Sequence, residues 1–308
     1  MPRYPLDRRE RDIPGASRDV LDSMRNPYND TYKHGLFMSH PPYSSTFAGK
    51  EGCFVFGDRE IRYKFKDTHS LSWFLPGAGG GWQDEYYECF ESSSKNLFFL
   101  FHERSDAIPP ASRSFAIDLD NNKVTMLYCT IGNEDYTNQD TDIMPYFGYA
   151  DWYDGAEPPR ELHHFTNELT RKAVLWRINT WILIHYYTSK QYFANQVMIG
   201  QDGLFATEPA RHVKLRDKVT LFYWREMSAT GGMGADIMDF NTMTAVGIWY
   251  GGGVGFKQAN AFQREDGKFL SADDLVRFEQ IASVRGERAA MEAMGVDLSE
   301  KSIDILSV

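Results

Sequence analysis

The stretch IRYKFKDTHSLSWFLPGAGGGWQDEYYECFESSSKNLFFLFHERS, residues 61–105, decides the fold, because the chain carries a second version of it at residues 184–228. At an offset of 123 (184 − 61), Ile61-Arg62-Tyr63 falls on Ile184-His185-Tyr186, Glu85 on Glu208, Lys95 on Lys218, Phe99 on Phe222, Glu103 on Glu226 and Ser105 on Ser228. Gly77 and Gly80 meet Gly200 and Gly203. Nine of 45 positions are identical without a gap, where ordinary residue usage gives about three. A repeat of this length is a duplicated domain, so function is expected where the copies differ. Those positions are Arg62/His185, Glu88/Arg211, Cys89/His212 and His102/Arg225, while Glu103/Glu226 is kept.

Each copy is a series of short, partly alternating apolar runs separated by turn residues, the pattern of antiparallel strands. In the first copy the runs are Cys53–Phe56, Glu60–Lys66, Ser70–Leu75, Tyr86–Phe90, Leu97–Glu103, Ser114–Asp118 and Val124–Thr130. In the second they are Lys172–Arg177, Thr180–Thr188, Tyr192–Ile199, Arg211–Lys214, Val219–Met227, Gly234–Asp239 and Met243–Tyr250. Asp120-Asn121-Asn122-Lys123 is a hairpin turn, since Asn tolerates positive φ, and Phe240-Asn241-Thr242 takes its place in the second copy. Seven or eight strands in so few residues suit a small closed barrel, because closure removes exposed edges. Eight strands also leave room for one small ligand.

The expected organisation is a mainly β chain of two tandem antiparallel barrels. Residues 1–48 form an N-terminal arm, with a short helix near Arg18–Met24, and the first barrel spans 49–132. An acidic, Pro- and Gly-containing linker follows at 133–160, then the second barrel at 161–262 and a helical tail at 263–308. In the tail, Ser271 is placed to cap Asp274, Leu275, Phe278, Ile281 and Ala282 form one apolar face, and Gly295 is a stop.

Composition sets limits on partners. Hydrophobic residues at 42% and aromatics at 15% describe a globular chain with aromatic-lined walls. A net charge of −10 argues against a nucleic-acid backbone or an anionic membrane as the partner. Met1–Pro14 is charged and lacks an apolar core segment, so no secretory signal is expected and the location read from it is cytoplasmic. Cys53, Cys89 and Cys129 have no metal-ligand spacing and read as buried reduced thiols. His163-His164 lacks a third ligand, so no metal site is expected. The expected partner is a small-molecule ligand or substrate, with no cofactor; a homo-oligomer is left open.

Thr166-Asn167-Glu168-Leu169, Val174-Leu175-Trp176, Ile184-His185-Tyr186-Tyr187, Arg211-His212-Val213, Leu221-Phe222-Tyr223-Trp224-Arg225-Glu226 and Asp239-Phe240-Asn241-Thr242-Met243 resemble the C-terminal domain of the MoaF-like family, named for molybdenum cofactor biosynthesis protein F. Lys64-Phe65 through Ala116-Ile117-Asp118-Leu119 resembles that family's N-terminal domain more weakly. The resemblance covers roughly residues 48–256 and implies calycin (lipocalin-like) barrels, grouped with the phenolic acid decarboxylases.

The second copy holds the richer set of ionisable residues. Strand alternation puts His185 on one face with Leu183 and Tyr187. One member of each pair Arg225/Glu226 and Arg211/His212 also faces inward. The expected site therefore combines His185, Glu226, Tyr187 and His212 as proton-transfer groups with Arg225, Arg211, Trp224 and Tyr223 as substrate-binding groups. An Arg grips a carboxylate in a two-pronged way, and a His or a carboxyl group moves the proton. Arg62, Tyr87, Glu88, His102 and Glu103 are the second candidate set. The function expected is a cofactor-independent lyase or isomerase, decarboxylase- or dehydratase-like, acting on a small aromatic or unsaturated acid or phenol. The alternatives are a non-catalytic lipocalin-like binding protein and, from the family name, an accessory protein of molybdopterin metabolism.

Overall fold

The computed structural model describes residues 41–104, 107, 111–131, 141–153, 157–178, 181–199, 205–226, 232–252 and 258–296. The helix expected near Arg18–Met24 and most of the expected arm lie outside them. Strands β1 (Glu51–Phe56), β2 (Arg59–Phe65), β3 (Ser70–Phe74), β4 (Gln83–Glu91), β5 (Leu97–Arg104), β6 (Ala111–Asp118), β7 (Lys123–Thr130) and β8 (Asp142–Asp151) form a closed antiparallel barrel, with β8 returning to pair with β1. After the short β9 (His164–Phe165), a second closed barrel is built from eight strands. They are β10 (Lys172–Ile178), β11 (Trp181–Tyr187), β12 (Tyr192–Ile199), β13 (Phe205–Arg216), β14 (Val219–Glu226), β15 (Gly232–Asp239), β16 (Thr244–Gly252) and β17 (Gln258–Leu270). It closes through β10–β17 and β12–β13, and β9 pairs with the far half of β13.

Two boundaries move. Asp142–Asp151, within the stretch expected to be a linker, is the eighth strand and hydrogen-bonds to both β7 and β1. β17 likewise runs through residue 262 into the expected tail. The last part of the expected arm also belongs to the first barrel. Phe47 is fully buried against Phe65, Phe98 and Trp152 and plugs one end.

The barrels share a core. Phe90, Leu97, Phe99, Phe101, Ala116 and Leu127 point out of the first barrel, and Val213, Leu215, Leu221, Ile237, Val246 and Ile248 out of the second, into one apolar cluster. Burial on both faces explains why Leu97–Phe101 and Leu221–Trp224 read as continuous apolar runs rather than alternating ones. The polar contacts across this seam are reciprocal. Arg216, beside the β13–β14 turn, donates to both carboxylate oxygens of Asp118 at 3.0 and 2.7 Å. Ser93 and Ser94, in the β4–β5 turn, donate to Asp239 at 2.8 and 2.6 Å. Asp118 and Asp239 end equivalent strands, β6 and β15, and each also accepts an Asn backbone N–H, from Asn121 and Asn241.

Register corrects the repeat. Arg104 ends β5 and Glu226 ends β14, one residue short of the offset of 123. An odd slip exchanges the two faces of a strand. The pairs Arg62/His185, His102/Arg225 and Glu103/Glu226 therefore each match an outward side chain with an inward one. The structural equivalents are Tyr63 with His185, His102 with Trp224 and Arg104 with Glu226. On β4 and β13 the original offset holds, and Cys89 and His212 both face inward.

The tail folds as α1 (Ala272–Arg285) and α2 (Glu287–Ala293). Ser271 and Asp274 form a reciprocal capping box, and Phe278 packs with Ala173, Leu175, Ile182 and Ile184 on the outside of β10 and β11. The helices thus buttress the barrel wall rather than cover a mouth. Ser271→Ala removes the Oγ that accepts the Asp274 N–H. It should cost about 1 kcal/mol, read as a shift in the urea midpoint.

Candidate functional site

In antiparallel strands, directly opposed residues share a face, so the registers identify the lumen-facing rows. In the second barrel those rows carry His185, Tyr187, Glu208, His212, Trp224, Glu226 and Asp236. His185 is 3% exposed, its ring edge-on to Phe193 at 4.9 Å and near Trp224 at 6.2 Å. His212 is 1% exposed, edge-on to Tyr187 at 5.2 Å and stacked on Phe222 at 5.1 Å. Neither ring nitrogen of His212, nor Nδ1 of His185, has a hydrogen-bond partner among the described residues.

Burial pushes His185 down to about 3, with His212 adding to the effect, and burial alone pushes His212 down to about 4. Both imidazoles are therefore neutral near pH 7, each with one donor and one acceptor nitrogen. Leaving such groups unpaired in a core costs roughly 1–3 kcal/mol each.

Glu226 ends β14 at the rim of this lumen. Its Oε2 accepts the Trp224 and Trp249 indole N–H groups at 3.2 and 3.3 Å. Deeper inside, the Trp176 indole donates to Tyr187 Oη at 3.2 Å, and Tyr187 Oη lies 3.2 Å from Met238 Sδ. The large rings fit because glycines face them. A Cβ on Gly234 would lie 2.0 Å from the Trp224 ring, and one on Gly267 would lie 2.4 Å from that of Trp176.

The expected arginine anchor is not in this lumen. Arg211, Tyr223 and Arg225 point outward, on the rows that carry Val213 and Leu221 into the seam. They line a cleft of about 400 Å³ between the barrels, together with Asp142, Pro145 and Tyr192. The Arg211 guanidinium lies over the Phe165 ring at 5.4 Å. The eight residues of the expected site thus divide: His185, Tyr187, His212, Trp224 and Glu226 inside, Arg211, Tyr223 and Arg225 outside.

The second candidate set divides too. Arg62 is on the outer surface, paired with Glu60 at 2.7 Å. Glu88 and Glu103 are buried on outward rows; Glu103 accepts from Tyr250 Oη across the seam at 3.3 Å. Only Tyr87 and His102 face the first lumen, Tyr87 donating to the Asp67 carbonyl at 2.7 Å. His102 Nε2 lies 3.1 Å from Tyr63 Oη.

Sequence reasoning missed Glu208 and Asp236 in the second lumen, and Tyr63, Trp73, Arg104 and Arg113 in the first. Glu208 carried a signal, its identity with Glu85 in the repeat. Arg113 was lost because its strand was started at Ser114, three residues after the observed start at Ala111. His163, set aside as a metal ligand, is buried beside the seam, with Nδ1 2.9 Å from Thr125 Oγ1 and Nε2 4.0 Å from Asp118. Among the described residues, no three His, Cys, Asp or Glu side chains are arranged to hold a metal ion.

The fold and its contents define a class: two fused eight-stranded antiparallel barrels, each with ionisable groups facing its interior. Residues 163–271 match the family model of the MoaF C-terminal domain. The match spans the second barrel from β9 to the end of β17, beyond the limit near residue 256 read from the sequence. No curated protein matches the chain. Among solved structures, a "putative beta-lactamase" from Burkholderia vietnamiensis is similar at 10% identity, covering 33% of this chain and 95% of its own, with a TM-score of 0.30. A likeness at that score carries no argument. No helix among the described residues is long and apolar enough to cross a membrane.

Proposed function

We propose that the second barrel binds a small aromatic or unsaturated molecule in its lumen and moves a proton on it, as a lyase or isomerase working through its own side chains. The observation that carries this reading is the pair of buried neutral histidines whose ring nitrogens lack partners among the described residues. Such groups are costly in a structural core and useful against a ligand.

The depressed pKa values change the roles first assigned. His185 and His212 are poor bases near pH 7 and good neutral hydrogen-bond donors to an oxygen that gains charge, the use made of a neutral imidazole in other enzymes. Glu226, oriented by two indole N–H groups, is placed to take the proton. With carboxylates at 208, 226 and 236 on the inward rows, and Arg211 and Arg225 outside, the lumen suits a neutral phenol or conjugated carbonyl compound rather than a carboxylate.

The test is a panel of phenols and conjugated carbonyl compounds, followed by loss of their ultraviolet bands. Glu226→Gln should lower kcat at least 100-fold, within the usual worth of a general base, while KM changes little. His212→Asn should raise KM more than it lowers kcat. Ligands held with micromolar affinity by calorimetry, yet never consumed, would replace this reading with that of a binding protein.

A further inference from the structure

The first barrel contains a feature that the second-barrel reading leaves unused. Arg113, on the inward row of β6, is 4% exposed, and its guanidinium lies 4.0 Å from the centre of the Trp73 ring. It makes no ion pair with a described residue, and its Nη1 has no hydrogen-bond partner there. Its polar neighbour is the Tyr63 hydroxyl. Glu85, half-buried on the inward row of β4, does not pair with it. Arg104 shares the same end of the lumen, its guanidinium 5.1 Å from the centre of the Trp73 ring and its Nη1 3.4 Å from Tyr128 Oη. The Trp73 indole N–H is buried and also lacks a partner.

His102 does not compensate this charge. Its Nδ1 lies 3.4 Å from the Glu103 carbonyl, which fixes that nitrogen as the donor and leaves Nε2 to accept from Tyr63 Oη. Burial and the two arginines hold it neutral. Two guanidinium groups thus converge at one end of an aromatic lumen. Arg113, a buried cation with no counter-charge among the described residues, is among the most expensive features a core can hold, and an apolar substitution removes such a charge easily.

We propose that the first barrel is a binding site of its own, which holds the carboxylate of a small planar acid between Arg113, Arg104 and the Trp73 N–H. The fork of a guanidinium matches a carboxylate in two-pronged fashion, and Trp73, Tyr63 and Tyr128 supply flat walls for an apolar body. The two lumens then differ in kind, since the inward rows of the second barrel carry no arginine among the described residues. This assignment does not depend on catalysis in the second.

Benzoate is the probe, with benzamide as its uncharged counterpart and inorganic phosphate as a compact anion. Benzoate should raise the thermal midpoint of the full chain, and benzamide should bind at least 10-fold more weakly. Arg113→Met should lower benzoate affinity at least 30-fold. Without ligand the same variant should unfold at an equal or higher temperature than the parent, the sign expected when an unpaired buried charge is removed. Crystals grown with 4-bromobenzoate should show bromine inside the first barrel, a test that needs no variant to fold. Equal binding of benzamide, unchanged affinity in Arg113→Met, phosphate displacing benzoate at equal concentration, or bromine elsewhere would each overturn the proposal.

Discussion

Asp118→Ala should destabilise the protein by about 3 kcal/mol, measured as the free energy from urea unfolding followed by tryptophan fluorescence. Asp118 is the hub of one half of the seam between the barrels: both its oxygens accept from Arg216, and one also accepts from the Asn121 side chain. Truncation leaves the Arg216 guanidinium without its main partner in a place sealed by the shared apolar cluster. Breaking a buried pair from one side costs about 3–5 kcal/mol. The lower figure applies because the Arg216 side chain keeps 19% of its surface in solvent and retains Asp120 at 3.1 Å. Since the two barrels share one core, the unfolding transition should shift as a whole.

The pH dependence separates two sources of acid sensitivity. Burial would raise the Asp118 carboxyl, but hydrogen bonds from Arg216 and Asn121, with the His163 ring close by, outweigh it and hold the group well below the ordinary range. A depressed carboxyl contributes stability above its unfolded value, near 4, and loses it as pH falls toward its folded value. His102, His163, His185 and His212 are also depressed, in each case chiefly by burial. The unfolded chain takes up protons on those histidines below about pH 6.5 while the folded chain does not. Stability should therefore begin to fall near pH 6.5. The parent and Asp118→Ala curves should run parallel down to about pH 4.5 and converge below it. Convergence already at pH 6 would assign the early loss to Asp118 instead.

Much of the fold is legible in the sequence, and what is not has identifiable physical causes. The paired hairpins at Asn121 and Asn241 and the apolar runs at β5 and β14 are visible because turn chemistry and double-sided burial leave strong patterns. β8 is hidden because its flanks are acidic and Pro-containing, a composition that linkers share. The one-residue slip of the repeat is invisible to identity counting: Phe99 matches Phe222 by letter, yet one faces the seam and the other the lumen. Alternation along a single strand did place His185 with Tyr187, since that inference stays within one pleat. The choice within Arg225/Glu226 and Arg211/His212 needed the register of neighbouring strands, which no single strand contains. Arg113 required knowing that β6 starts at Ala111.

Gly234→Val should be more damaging than the loss of Asp118, at about 3–5 kcal/mol, the cost of withdrawing a buried aromatic ring. The Trp224 ring lies flat over Gly234, with three ring carbons 2.0, 2.1 and 2.4 Å from where a Cβ would stand. At these distances the clash is with a rigid ring rather than the end of a flexible chain. The ring has little room to slide, because Phe222 stacks on it at 5.1 Å and Phe193 meets it edge-on at 5.8 Å. A β-branched residue at 234 must therefore expel Trp224 from the wall, and the Trp224 N–H bond to Glu226 goes with it. Gly234→Val/Trp224→Ala should recover much of the stability lost in Gly234→Val, because the space vacated by the indole accepts the valine. It should not recover turnover, because Glu226 loses the Trp224 N–H that helps to orient it. Rescue of stability without rescue of activity ties Trp224 to the orientation of Glu226. Rescue of both would show that Trp224 serves the barrel wall alone, and failure of both would show that position 234 matters for a reason other than the ring above it.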